Sequence, residues 1–411
     1  MDFINEMGRR GLIAQVNHED ELGLHLEEKP RVAYLGFDPT ADSLHVGHFL
    51  GAMILRRWQK AGHKAVALVG GGTAIVGDPS GKSDLRKMLD DEAIEHNIAC
   101  FRKQLHRFID LNDSDKGELV NNADWLLPLN YLEFMREYGK NFSVNRMLTA
   151  ECFKQRLEKG LTFLEFNYMI LQSYDFLELN RRLGVTVQLG GDDQWSNMLS
   201  GVDLVRRVTT EKSFCLTFPL LTTSDGRKMG KTESGAVWLD PNKTAPFDFF
   251  QYWRNVEDNS VKKLLMYLTE LDMDEIEDLS SREGKELNES KVRLAFEITK
   301  LVHGEEEADK AKITAAQLFS GGSRGGTGNE PEVFISKSNF NDSMNILDLL
   351  MESKILSSKA EGRRLIQQGG LTLNGKKIDD VKYMVSREEV FLKDGCLIRK
   401  GKKHYYRLRI S

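Results

Sequence analysis

The sequence predicts an α/β protein in three parts: a doubly wound parallel-sheet domain, an α-helical region, and a small basic α+β tail. Three observations carry this. Residues 31–83 read strand, helix, strand, the pattern of a parallel sheet. Strand signals fade after about residue 225, and amphipathic helical patterns follow one another. A Gly-rich stretch, "SGGSRGGTGNEPE" (320–332), then sets off a tail rich in Lys and Arg. At 411 residues the chain has room for two or three domains and a sizeable core.

Each element follows from its own pattern. "RVAYLGFD" (31–38) is a buried strand running into a glycine and an acid. "HFLGAMILRRWQKAG" (48–62) is a helix, because Leu50, Ile54, Leu55 and Trp58 keep the 3.6-residue period and Gly62 closes it. "HKAVALVGGGTAIVGDPSGKS" (63–83) opens as a second apolar strand and ends in glycines. "DEAIEHNIACFRKQLHRFI" (91–109) and "TFLEFNYMILQSYDFLELNRRLG" (162–184) are helices, and "VTVQLGG" (185–191) is a buried strand. These complete a domain over residues 1–225. "APFDFFQYWRNV", "VKKLLMYLTEL", "ELNESKVRLAFEITKLVHG" and "EEADKAKITAAQLF" make residues 226–320 helical. Residues 321–342 read as linker. Residues 343–411 hold two short helices, a strand pair around "LNGKK", and a β-rich end, "CLIRKGKKHYYRLRI".

Composition narrows the function classes. The chain is 40% hydrophobic and 29% charged, ordinary for a globular protein. It has no 18-residue apolar run and no secretory cleavage pattern, so a cytoplasmic protein without a membrane partner is expected. Cys100, Cys152, Cys215 and Cys396 lie far apart without a C-x-x-C, which points to reduced thiols and away from zinc or disulfide frameworks. Residues 354–411 carry 15 Lys and Arg against 6 Asp and Glu, a net +9 in a chain whose total is −5. A basic tail on an acidic body suggests contact with a polyanion.

Two short motifs carry chemistry. "GFDPTADSLHVGH" (36–48) places His45 and His48 at the start of a helix, beside Gly47. No further His or Cys supplies a metal ligand set. A helix N-terminus offers free N–H groups and positive potential, so an anion site is one reading; a capping His beside an exposed one is the other. "GRKMGKT" (226–232) puts Lys228 and Lys231 in a Gly-containing loop before Thr232, and lysines are mobile point charges suited to polyphosphate. "GDPSGKS" (77–83) is not a P-loop, yet it sets Lys82 and Arg86 in a loop that could fold over phosphates. Tyr168, Gln172 and Asp175 share one face of an otherwise apolar helix. That stripe faces solvent or lines a buried pocket, and local pattern leans towards solvent.

Together the motifs resemble a known family. HVGH opening the first helix, with KMGKT after the last strand, is similar to the HIGH and KMSKS signatures of the class I aminoacyl-tRNA synthetases, whose catalytic domain is Rossmann-like. "YLGFDPTADSLHVGH", "VGDPSGKS", "YMILQSYD" and "QLGGDDQW" stand in the order and spacing of the bacterial tyrosyl-tRNA synthetase family. The tail resembles that family's S4 RNA-binding domain. The departures are Gly for Ser in the second signature, Val for Ile in the first, and Leu35 and Gly51 where many relatives carry polar or hydroxyl side chains near the nucleotide.

The resemblance implies an ATP-dependent, AMP-forming ligase that activates L-tyrosine and transfers it to tRNA(Tyr). Tyr34 and Asp175 would meet the phenol hydroxyl. Tyr168, Gln172 and Asp78 would take the ammonium, with Gln188 completing the tyrosine pocket. Gly36, Asp38, Gly47, Gly191, Asp193 and Gln194 would line the nucleotide and the tyrosine carboxylate. Thr40, His45, His48, Lys82, Arg86, Lys228, Lys231 and Thr232 would act on the phosphates. Mg²⁺ would accompany ATP without a protein metal site, and the chain would pair as a homodimer. Competing readings are a tryptophanyl-tRNA synthetase, a non-catalytic S4-type RNA-binding protein, and a metabolic nucleotidyltransferase.

Overall fold

The computed structural model describes residues 2–410 apart from 77–89, 151–152, 155–156, 158–159, 233–234, 320–331, 337–339, 341–342, 391, 393–394 and 402–403. The chain divides into two units. One holds Met1–Asp240 and Lys262–Ile276; the other holds Pro241–Val261 and Glu277–Ser411.

The first unit is built on a six-stranded sheet. Its strands are β1 (Gln15–Val16), β2 (Val32–Phe37), β3 (Lys64–Val69), β4 (Gly117–Asn121), β5 (Val185–Gly191) and β6 (Phe214–Phe218), in the order β1-β6-β5-β2-β3-β4. All neighbours are parallel except the antiparallel edge strand β1. Helices follow the strands: α1 (Phe3–Arg9) and α2 (Glu19–Glu28) at the start, then α3 (Val46–Lys60), α4 (Gly71–Ala74), α5 (Asp91–Leu105), α6 (Phe163–Leu183) and α7 (Trp195–Thr209). This is the expected doubly wound arrangement. The central strands β2, β3, β5 and β6 are largely buried on both faces, so they read as continuous apolar runs. The reversal of strand order lies between β2 and β5, where such sheets open a crevice at their carboxyl ends.

Local chemistry sets the helix ends near that crevice. α3 begins at Val46, earlier than the expected His48, because His45 is its N-cap. α6 opens with a capping box between Thr162 and Glu165 and ends on Gly184 in the left-handed region. Its buried Met169, Phe176 and Leu177 share one apolar core with Tyr34, Val66 and Leu204.

Two boundaries differ from expectation. Residues 226–240 belong to the first unit, not to the helical region, because backbone bonds tie them to the HVGH turn: Leu239 N–H donates to Leu44 O at 2.9 Å and Val46 N–H to Val237 O at 3.1 Å. Residues 262–276 also belong there. Arg10 donates to Met266 O, Thr269 O and Leu271 O, Arg57 donates to Thr269 O, and Arg56 and Lys60 pair with Glu270. Helix-terminal carbonyls satisfied by buried guanidinium groups make this arm part of the unit.

The second unit has the helices Pro246–Arg254, Gly284–His303 and Glu305–Phe319, with Trp253 fully buried among them. The tail packs helices Ile346–Glu352 and Lys359–Gln367 with a five-stranded sheet around Leu349, Leu350, Ile366, Ile398 and Leu408. Glu332–Ile335, inside the stretch expected as linker, is a strand that pairs in parallel with Arg407–Ile410. The Gly-rich residues 320–331 lie outside the described residues.

Candidate active site

The first unit holds a cavity of about 380 Å³ at the carboxyl ends of β2 and β5. Of the residues singled out from sequence, Tyr34, Gly36, Asp38, Thr40, His45, Gly47, His48, Tyr168, Gln172, Asp175, Gln188, Gly191, Asp193, Gln194 and Lys228 all line it. Asp78, Lys82 and Arg86 lie outside the described residues, as do the side chains of Lys231 and Thr232. The polar stripe on α6 therefore faces the cavity, not solvent as local pattern suggested.

One end of the cavity is closed and polar. Tyr34 stands on β2 in register with Gln188 on β5, under the α6 residues Gln172 and Asp175. Tyr34 Oη, Gln172 Oε1 and Gln188 Oε1 are buried and have no hydrogen-bond partner among the described residues. A buried polar atom without a partner is costly, so three around one cavity mark a place built to receive a polar ligand. Burial, reinforced by the Asp175 charge, pushes the Tyr34 phenol well above its ordinary range, so it is a hydrogen-bond donor at neutral pH.

Asp175 is the charged group of this end. Trp125 Nε1 donates to Oδ1 at 2.8 Å and Asn122 Nδ2 to Oδ2 at 3.0 Å. Burial pushes the carboxyl up to about 7; the two hydrogen bonds restrain that rise, and the nearby Asp38 adds to it. Asn122 also donates to Thr73 Oγ1 at 3.0 Å and accepts from Gly72 N–H at 2.8 Å, so it links the glycine turn after β3 to the carboxylate. Sequence reasoning missed Asn122 and Trp125. The signal was "NNADW", an Asn-rich turn directly after the short strand β4, which also went unread.

The other end is formed by the HVGH turn. His45 Nδ1 accepts from Gly47 N–H at 3.0 Å, and His48 Nδ1 accepts from His45 N–H at 3.3 Å. The two rings stack at 3.9 Å between centroids and 7° between planes. With each Nδ1 accepting, the neutral rings carry their protons on Nε2. Gly47 is needed for this: a Cβ there would lie 2.8 Å from His45 Cε1. Gly36, by contrast, faces open space. The sequence left two readings open for this pair. Both imidazoles cap, and both line the cavity at a helix N-terminus.

Charge in this lobe is paired. Lys228 Nζ lies 2.9 Å from Asp193 Oδ2. Asp192 is turned elsewhere, accepting from Gln15 Nε2 and Thr217 Oγ1 at 2.7 and 2.9 Å. The Leu35 and Gly51 departures meet each other: a Cβ at Gly51 would be 3.2 Å from Leu35 Cδ2, so this wall of the cavity is apolar. Among the described residues no group of three His, Cys, Asp or Glu could hold a metal ion.

A closed polar pocket and a helix N-terminus with stacked imidazoles thus share one cavity. The family model for tRNA synthetases class I (W and Y) matches residues 26–320. The chain belongs to the class I tRNA synthetases. Within them it falls with the tyrosine–tRNA ligases. A model of the tyrosine–tRNA ligase SYY-like C-terminal domain matches residues 330–408 of this synthetase. The tyrosine–tRNA ligase of Clostridium botulinum is 58% identical over 402 residues, 98% of each chain. That of Clostridium kluyveri is 56% identical over the same length. Among solved structures, a C-terminally truncated mitochondrial tyrosyl-tRNA synthetase of Aspergillus nidulans aligns with a TM-score of 0.69 and 30% identity, covering 77% of this chain and 94% of its own.

Proposed function

We propose that the chain activates L-tyrosine with ATP, releasing pyrophosphate, and then transfers the tyrosyl group from the adenylate to the terminal adenosine of tRNA(Tyr). The observation that carries this is the closed end of the cavity, where a buried phenol donor, Tyr34, and a buried carboxylate, Asp175, stand without a partner ligand of their own chain for the Tyr34 hydroxyl. A substrate phenol satisfies both, accepting from Tyr34 and donating to Asp175. Phenylalanine would leave the Tyr34 hydroxyl unpaired and give Asp175 no phenol donor, which disfavours it.

The chemistry follows from charge. The tyrosine carboxylate is already a nucleophile near neutral pH, so attack on the α-phosphate needs no general base. Negative charge accumulates on the α-phosphate and the departing pyrophosphate, and the site acts by stabilising it. His45 and His48 would present Nε2–H donors, with Thr40 beside them. Lys228, Lys231 and Thr232, with Lys82 and Arg86, would supply the remaining positive and hydroxyl contacts. Tyr168, Gln172, Gln188 and Asp78 would hold the ammonium end. Asp38, Gly191, Asp193 and Gln194, with Gly36 and Gly47, would border ribose and carboxylate. Mg²⁺ would enter with the triphosphate, held through it rather than by a protein cage.

The basic tail would hold tRNA, with exposed Arg363, Arg364, Lys376 and Lys377 available to phosphates. A homodimer is supported by exposed Leu127, Tyr131, Leu132, Val144, Phe163 and Leu164, all on the first unit; isolated exposed apolar residues are ordinary, but six within 38 residues of sequence suggest a covered face. Reaction in the cytoplasm agrees with the free thiols of Cys215 and Cys396. No helix among the described residues is long and apolar enough to cross a membrane. The test is ATP–pyrophosphate exchange across the twenty amino acids. Exchange with tyrosine alone is expected; exchange with tryptophan instead, or with none, would refute the reading.

A further inference from the structure

Two departures from the family signatures, Val46 in HVGH and Gly230 in KMGKT, touch each other. Gly230 is buried and has φ +86°. A Cβ built on it would lie 2.9 Å from Val46 Cβ, 3.4 Å from Val46 Cγ1 and 3.7 Å from the Gly47 amide nitrogen. The backbone around it is stitched to the histidine turn. Val237 N–H donates to Gly230 O at 2.8 Å, Val46 N–H to Val237 O at 3.1 Å, and His45 and Trp238 form an antiparallel bridge. On the other flank Met229 N–H donates to Leu221 O at 2.8 Å. Gly230 thus sits between Lys228, which lines the cavity, and the short hairpin of β7 (Lys231–Thr232) and β8 (Gly235–Ala236), at the point where the loop meets the turn with no side chain between them.

We propose that Gly230 is a positioning residue for adenylation: its left-handed, side-chain-free contact with Val46 sets how closely the lysine loop lies on the histidine turn. The inference rests on the adenylation reading above. Any L side chain at 230 meets two obstacles. The left-handed region disfavours a Cβ, and the obstructing atom is the Cβ of a fully buried valine, which cannot swing aside as a flexible side-chain end could. The loop must lift from the turn. Lifting separates Lys228 from the cavity wall formed by His45 and leaves Tyr34, Gln172 and Asp175 undisturbed. The loss therefore falls on a contact made as phosphate charge develops and not on tyrosine binding.

The test uses the full-length chain with Gly230→Ala, Gly230→Ser, and Gly230→Ala combined with Val46→Gly, which removes the obstructing Cβ. Both single variants should lower kcat of tyrosine-dependent pyrophosphate exchange about 30-fold or more, with the tyrosine Kd within about twofold of the parent. Removing the whole valine side chain, Cβ included, should recover about fivefold or more of that loss, leaving the part due to φ. Hydrogen exchange provides a readout free of catalysis: the amides of Val46 and Leu239 should exchange about tenfold faster in Gly230→Ala, with those of β5 unchanged. Parent-level kcat, unchanged protection at Val46 and Leu239, or a double variant no better than the single one would each overturn the proposal. Absence of exchange activity in the parent would instead sink the adenylation reading, and amide protection would then still decide whether Gly230 holds the loop.

Discussion

Trp125→Phe isolates what the pocket does to its carboxylate. The indole donates to Asp175 Oδ1 at 2.8 Å, one of the two hydrogen bonds that restrain a carboxyl pushed up to about 7 by burial. A hydrogen bond to a charged group contributes about 1.5–3 kcal/mol. Losing it should raise the Asp175 pKa by about one to two pH units, at 1.36 kcal/mol each. At pH 7.5 the parent carboxyl would be about three-quarters ionised and the variant between about 3 and 25%, so tyrosine affinity should fall about 3- to 25-fold. At pH 9 both are mostly ionised, and the gap should shrink to about twofold or less. The sign is specific. A raised carboxyl pKa makes binding to the ionised form strengthen as pH rises through about 7, and the substitution moves that limb upward without changing its direction. The same burial stabilises the fold least at high pH, since stability present at acid pH is lost as pH rises through about 7. Equilibrium dialysis with labelled tyrosine from pH 6 to 9 measures the limb, and phenylalanine, lacking the hydroxyl, serves as control. A loss of equal size at every pH would mean the indole only props the pocket. No loss at all would remove Asp175 as the group that reads the phenol.

Tyr34→Phe should leave thermal stability unchanged or slightly raised, because Tyr34 Oη has no partner in the protein among the described residues; tyrosine affinity should drop about 2- to 12-fold, the worth of one neutral hydrogen bond, and the preference over phenylalanine should drop in proportion. Glu270→Gln tests the arm 262–276. Burial alone would raise that carboxyl, but hydrogen bonds from Arg56 and Lys60 hold it down at about 2. The stabilisation is present above the usual carboxylate range and lost as pH falls through about 2; with about a third of the carboxylate side chain exposed, its loss should cost about 1 kcal/mol or less in urea unfolding at pH 7. Ending the chain at residue 319 should spare pyrophosphate exchange and abolish efficient tRNA charging. A cut after residue 342, the linker end read from sequence, should aggregate in light scattering, because it strands Glu332–Ile335 without its partner Arg407–Ile410.

What could be read from sequence and what could not divides along the length of the contacts. β2, β3 and β5 are buried on both faces, so composition alone marks them. β4 is not legible this way: "GELVN" carries Glu118, which pairs with Lys64 at 3.0 Å, and sits at the sheet edge. The polar face of α6 was ambiguous for a physical reason. A helix cannot declare whether Tyr168, Gln172 and Asp175 look to water or to a cavity; that is decided by Tyr34 and Gln188, brought opposite by strand register. Asn122 and Trp125 were silent for the same cause, since the carboxylate that gives them meaning lies about 50 positions further on. The signature departures make the point most sharply. In sequence, Val46 and Gly230 are two unrelated blemishes in two motifs. In space the missing side chain of one is the room the other occupies, so neither can be judged by comparing its own motif with a consensus. A Ser restored at 230 would match the family signature and, in this chain, meet the valine.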